Sequence, residues 1–114
     1  EQGDADAQFS LGAMYDDGEG VLEDDKAAVK WYRKAAEQGD ADAQFSLGAM
    51  YDDGEGVLED FVQAYAWGNI DAANGEADAK KNKGILAGKM TPTQIAKAGE
   101  FVKEMIKKNP KLLK

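Results

Sequence analysis

The groups in this chain that could do chemistry are oxygens and amines. Its hydroxyls are Ser10, Ser46, Thr91, Thr93 and four tyrosines, Arg33 is the single guanidinium, Asp and Glu supply 22 carboxylates, and histidine and cysteine are both absent. That excludes disulfides, thiolate or imidazole metal sites, a cysteine nucleophile and a histidine base. Adjacent acids such as Asp16-Asp17 are the remaining acid–base candidates, but neighbours along a helix do not face each other. No hydroxyl stands beside a base in a recognisable motif, so the expectation is a chain that is not an enzyme and uses no cofactor.

Two acidic glycine loops, Asp16-Asp17-Gly18-Glu19-Gly20 and Asp52-Asp53-Gly54-Glu55-Gly56, are the one pattern that suggests a hard cation. Their spacing is not that of an EF-hand, and turn geometry alone accounts for both glycines. No metal site is assigned to them. A net charge of −8 opposes general nucleic-acid binding, because phosphate contacts need clustered Lys and Arg. No stretch approaches the roughly 20 apolar residues that cross a bilayer, and Glu1-Gln2-Gly3-Asp4 does not open a signal peptide. The chain reads as part of something longer, and its compartment is left open.

The elements that position these groups follow a 36-residue period. Residues 1–24, EQGDADAQFSLGAMYDDGEGVLED, recur unchanged at 37–60, and a degraded copy beginning at Ala73 keeps Gly75, Ala77, Asp78, Ala79 and Gly84 in phase. Three periods leave a tail of six in the 114 residues. Self-similarity of this length marks a solenoid, whose units bury their apolar faces against their neighbours. The divisions are 1–36, 37–72 and an atypical closing unit at 73–114.

Each unit reads as two helices, expected at about 4–16 and 24–37, 40–52 and 60–73 from capping and periodicity. Gln2-Gly3-Asp4 and Gln38-Gly39-Asp40 join one unit to the next, each with a left-handed glycine before a capping aspartate. In the first helix Ala7, Leu11, Met14 and Tyr15 form a stripe beside Gly12, whose missing side chain permits close helix approach. Val21 or Leu22 is expected to tuck under the pair. The second helix buries Ala28, Trp31, Tyr32 and Ala35. In the next unit Gly68 stands where Tyr32 does, and Asp71 where Ala35 does. The closing unit is lysine-rich; Thr91-Pro92-Thr93-Gln94 is a capping box opening a helix over about 91–109, with one face to cover the last repeat and the other for water.

The run Ala7-Gln8-x-x-Leu11-Gly12-x-x-Tyr15-x-x-Gly18-x-Gly20-Val21, followed by Asp24, Ala28, Trp31-Tyr32 and Ala35-Ala36, resembles the Sel1-like repeat, a bacterial relative of the tetratricopeptide repeat. The resemblance implies an all-α, right-handed superhelical solenoid of antiparallel helix pairs that scaffolds protein–protein contacts without catalysis. It also places the first helices on a concave side, with Asp6, Phe9, Ala13, Asp16 and Asp17, then Asp42, Phe45, Ala49, Asp52 and Asp53, then Asp78, Lys81, Ile85 and Lys89 facing a groove. Such an acidic, Phe-containing groove suits a protein or peptide segment carrying Lys or Arg beside apolar anchors. A small ligand or cell-wall fragment in the same groove is the alternative.

Charge is unevenly placed. Residues 1–72 hold 18 acids and four bases, net −14, whereas residues 73–114 hold four acids and ten bases, net +6. The first unit has no cap on its N-terminal side, so self-association through that exposed edge is expected. The basic helix after Thr91 is read as a cap rather than a membrane or nucleic-acid surface, given the acidity before it.

Overall fold

The computed structural model describes residues 4–20, 22–57 and 60–113. Among them are six α-helices and no strand: α1 (Ala5–Asp17), α2 (Asp25–Glu37), α3 (Ala41–Asp53), α4 (Phe61–Ala73), α5 (Ala77–Ala87) and α6 (Pro92–Lys108), followed by a 3₁₀ turn at Pro110–Leu112. The starts are written locally. Asp24, Asp40 and Asp60 each accept from the backbone N–H three residues on, and Asp4 from that of Asp6. Thr91 and Gln94 cap each other reciprocally at α6, with a proline inside the first turn. Gly18 and Gly54 end α1 and α3 in the left-handed conformation, at φ 74° and 72°.

The helices stack in order. α1 packs on α2 and α3 on α4, while α2 bridges to α3 and α4 to α5; α6 then lies against α4. The result is an elongated all-α repeat solenoid of 42 × 26 × 23 Å. Its core runs along the seams through Tyr32, Leu47, Tyr51, Trp67 and Ile70. Identical sequence meets different surroundings in the first two units: Met50 is 3% exposed, but Met14 is 38% exposed. Burial of such a side chain is worth about 1.5–3 kcal/mol, so the same helix is held far more firmly with a neighbour on both sides.

Two sequence expectations are corrected here. Leu22 does not tuck under the helix pair but stands 89% exposed; Val21, the other candidate, lies outside the described residues, as do Gln2 and Gly3 of the first connector. Trp31 is only half-buried, flanked by the ammonium of Lys34 at 4.7 Å from its ring centroid. Its equivalent Trp67 is 2% exposed. The difference is α6, which covers α4 and has no counterpart over Trp31.

The residues after α6 form a third seam. The Asn109 side chain donates to the Glu37 carbonyl at 2.7 Å, and Leu112 is buried. The Leu112 carbonyl accepts from Gln44 at 3.0 Å and Asn74 at 2.9 Å. Gly39, at φ 94°, sits where any Cβ would run into the Lys111 carbonyl. The segment that periodicity leaves over as a tail is thus bonded into the junctions between units.

Candidate binding face

In the first unit Gly12 and Tyr32 form one packing element. A Cβ at Gly12 would lie 2.6 Å from the Tyr32 ring, closer than atoms tolerate, so the glycine creates the shelf the ring occupies. Phe9 covers the same ring, with centroids 5.5 Å apart. The Tyr32 hydroxyl donates to Asp16 Oδ2 at 3.3 Å. Burial, reinforced by the negative charge of Asp16 and Asp17, pushes the phenol well above its ordinary range, so it stays protonated and a donor.

Thirty-six residues on, Phe45, Gly48 and Asp52 reproduce the shelf, but Gly68 stands where Tyr32 does. The ring is missing. In its place α3, α4 and α5 enclose a cavity of about 150 Å³ walled by Phe45, Gly48, Ala49, Gly68, Ile85 and Leu86. Ile85, on the α5 side, is 56% exposed. Asp52 lies at the same cavity; its Oδ1 is shut off from water, accepts no hydrogen bond among the described residues, and has the Lys89 ammonium at 3.9 Å. The fully buried Asp71 also lines it, where the first unit has Ala35.

The groove residues expected from sequence fall into two sets. Asp6, Asp17, Asp42, Ala49, Asp53, Asp78 and Lys81 are exposed, whereas Phe9, Ala13 and Phe45 are half-buried. Phe45, Ala49, Asp52 and Ile85 meet around the cavity; Asp42, Asp53, Asp78 and Lys81 take no part in its wall. The two phenylalanines are not equivalent, since Tyr32 covers Phe9 and, among the described residues, no aromatic ring covers Phe45. Gly48, Gly68 and Asp71 were not among the expected groove residues. For Gly68 and Asp71 the signal was the pair of departures, Gly for Tyr and Asp for Ala, at equivalent positions of α2 and α4.

A second cluster joins groups that the sequence presents separately. One carboxylate oxygen each of Asp16, Asp25 and Glu55 lie within 4.8 Å of one another. They come from α1, the first turn of α2 and the loop after α3, where a Cβ on Gly56 would strike the Asp25 backbone. Burial raises the Asp16 carboxyl, with repulsion from Asp17 and Asp25 adding to it and the Tyr32 hydrogen bond opposing it. Glu55 is raised by desolvation and then by Asp25, Asp16 and Asp53. The cluster concentrates negative charge at the contact between the first two units.

Among the described residues, no helix is long and apolar enough to cross a membrane. The Sel1 repeat family matches residues 5–40 and 41–69. A search of curated proteins by sequence returned no match. Several solved structures resemble the fold, two of them as follows. One is a protective antigen of uropathogenic Escherichia coli strains displaying an SLR fold, with a TM-score of 0.89 and 38% identity over 95% of this chain and 23% of that one. The other is a Sel1 repeat protein from Oxalobacter formigenes, with a TM-score of 0.70 and 42% identity over 71% of this chain and 61% of that one. The chain therefore spans less than two thirds of either relative. Such folds are in general non-catalytic scaffolds and commonly mediate protein interactions. With paired helices at a fixed period and two consecutive matched segments, this chain belongs to the Sel1 repeat family.

Proposed function

We propose that this chain is a non-catalytic scaffold that holds a protein or peptide segment along the face made by α1, α3 and α5. The observation that carries the reading is the cavity beside Phe45, a largely apolar recess, with Asp52, Asp71 and Asn82 also in its wall, opening among surface carboxylates of the first helices. An apolar anchor would fill the recess, and basic residues on either side would meet Asp6, Asp17, Asp42 and Asp53. Three units, 1–36, 37–72 and 73–114, would supply one helix each to that face. Self-association through the exposed side of α1, where Met14 lies open, is a separate property of the same architecture.

A cell-wall fragment or other small ligand is the weaker reading, because a recess of about 150 Å³ holds a single ring rather than an oligosaccharide. The test is selection of a random peptide library on the immobilised chain, followed by titration of the selected peptides against the wild type and the quadruple variant Asp6→Asn, Asp17→Asn, Asp42→Asn and Asp53→Asn. The reading expects peptides with an apolar residue flanked by Lys or Arg, and roughly tenfold or greater weakening in the variant at low salt. Selection of no sequence pattern, or equal binding by both proteins, would overturn it.

A further inference from the structure

The cavity beside Gly68 has a template within the same chain. In the first unit the space between the phenylalanine, the glycine shelf and the aspartate is filled by a phenol ring belonging to Tyr32. In the second unit Phe45, Gly48 and Asp52 keep the walls, and Gly68 withholds the ring. We infer that this vacancy is a receptor for a tyrosine side chain presented by a partner peptide, docked across the mouth between α3 and α5.

Four observations support the occupant. The volume, about 150 Å³, is the size at which an apolar cavity takes up benzene. Phe45 offers a ring against which another aromatic can pack, as Phe9 packs against Tyr32 in a tilted pair. Among the described residues, no ring lies against Gly48 as Tyr32 lies against Gly12; its Cβ position meets only ordinary contacts of α4, the nearest Trp67 Cβ at 3.4 Å. Asp52 Oδ1 accepts no hydrogen bond among the described residues and has the Lys89 ammonium at 3.9 Å, whereas its equivalent residue, Asp16, accepts the Tyr32 hydroxyl. A phenol brings both the ring that fills the space and a donor for that carboxylate. Phenylalanine fills only the space.

This inference rests on the peptide-binding reading above, but its test separates the two. The probe is p-cresol, the tyrosine side chain as a free molecule, titrated into the isotope-labelled chain and followed by amide chemical shifts. A ligand of that size should bind in the ~millimolar range, with saturable shifts at Gly48, Ala49 and Gly68. The variant Gly68→Tyr supplies the ring internally. A Cβ at that position meets nothing within 4 Å, so the first atom of the new side chain enters open space. In Gly68→Tyr those shifts should disappear, and selected peptides containing tyrosine should bind roughly tenfold or more weakly. In Asp52→Ala the preference for a tyrosine peptide over its phenylalanine analogue should shrink severalfold.

Absence of saturable shifts with p-cresol, or their persistence in Gly68→Tyr, would overturn the inference. If library peptides bind the wild type and Gly68→Tyr equally well, the groove reading stands and the tyrosine receptor does not. If p-cresol binds as described but no peptide does, the receptor survives for a ring while the peptide partner is refuted. Circular dichroism melting of Gly68→Tyr, expected to give a midpoint no lower than the wild type, keeps a folding defect from passing as lost binding.

Discussion

The Gln44 side chain donates to the Leu112 carbonyl across 68 residues of chain, at 3.0 Å. The same amide nitrogen lies 3.1 Å from the Ala36 carbonyl, and its oxygen accepts from Asn74 at 2.9 Å. One fully buried side chain thus ties α2, α3, the end of α4 and the 3₁₀ turn together. A buried amide of this kind stabilises only when every bond is made, and removing one partner exposes the desolvation cost of the others.

Gln44→Ala is accordingly expected to destabilise the chain by about 2–4 kcal/mol, since it both opens space and removes the side-chain bonds to Ala36, Leu112 and Asn74. Deleting residues 109–114 should lower stability by a similar amount, because it removes buried Leu112 and the Asn109 bond to Glu37. Urea unfolding monitored by circular dichroism reads both. A midpoint unchanged in either variant would mean that the C-terminal turn is not part of the cooperative unit.

Identical positions in the two identical segments should respond differently to one substitution. Gly12→Ala drives a Cβ to 2.6 Å from the Tyr32 ring, whereas Gly48→Ala meets its first atom at 3.4 Å. Alanine gains about 1 kcal/mol of helix propensity in both cases, but overpacking against Tyr32 costs about 1–3 kcal/mol. Gly12→Ala should therefore lower the melting midpoint, and Gly48→Ala should leave it unchanged or raise it. Equal responses would contradict the packing described for Tyr32.

The carboxylate cluster predicts a pH dependence. Asp16 and Glu55 both have folded-state pKa values raised above their ordinary values of 3.8 and 4.5. The folded chain therefore binds protons more tightly than the unfolded chain, and these two groups destabilise it increasingly as pH rises through their raised values. On acidification from neutral pH into the range of those raised values that penalty should begin to lift. Asp25→Asn removes one charge that raises both groups, so it should stabilise the chain at neutral pH and flatten this part of the profile. A profile of the same slope in wild type and Asp25→Asn would refute the coupling.

Exposed Met14 and the opposed charges of the two halves predict association of the free chain. Light scattering over a concentration series should give a mass above 12.3 kDa, falling on Met14→Lys. Contacts between the acidic and basic halves would weaken with salt, and apolar contacts through α1 would not. A strict monomer at high concentration in both low and high salt would count against it.

The fold was open to sequence reasoning because its determinants are local. Asp24, Asp60 and Thr91 cap helices through atoms two or three residues away, and the 36-residue period sets which helices become neighbours. What could not be read depends on packing between units. Leu22 and Trp31 are apolar, but among the described residues no helix covers Trp31 as α6 covers Trp67, and Leu22 stays exposed. Leu112 belongs to no period, and its burial depends on the path by which α6 returns the chain toward Gly39. Asp25 and Glu55 are thirty residues apart and become neighbours only through stacking. At the candidate site, the substitution of Gly68 for Tyr32 was visible in the sequence; that it leaves a cavity rather than a collapsed seam required the position of α5.

Hydrogen–deuterium exchange of the chain with and without a peptide selected from the library tests the binding account most directly. The account predicts added protection along α1, α3 and α5, greatest around Phe45, Gly48 and Ile85. Protection confined to the outer faces of α2, α4 and α6, or none at saturating peptide, would contradict it.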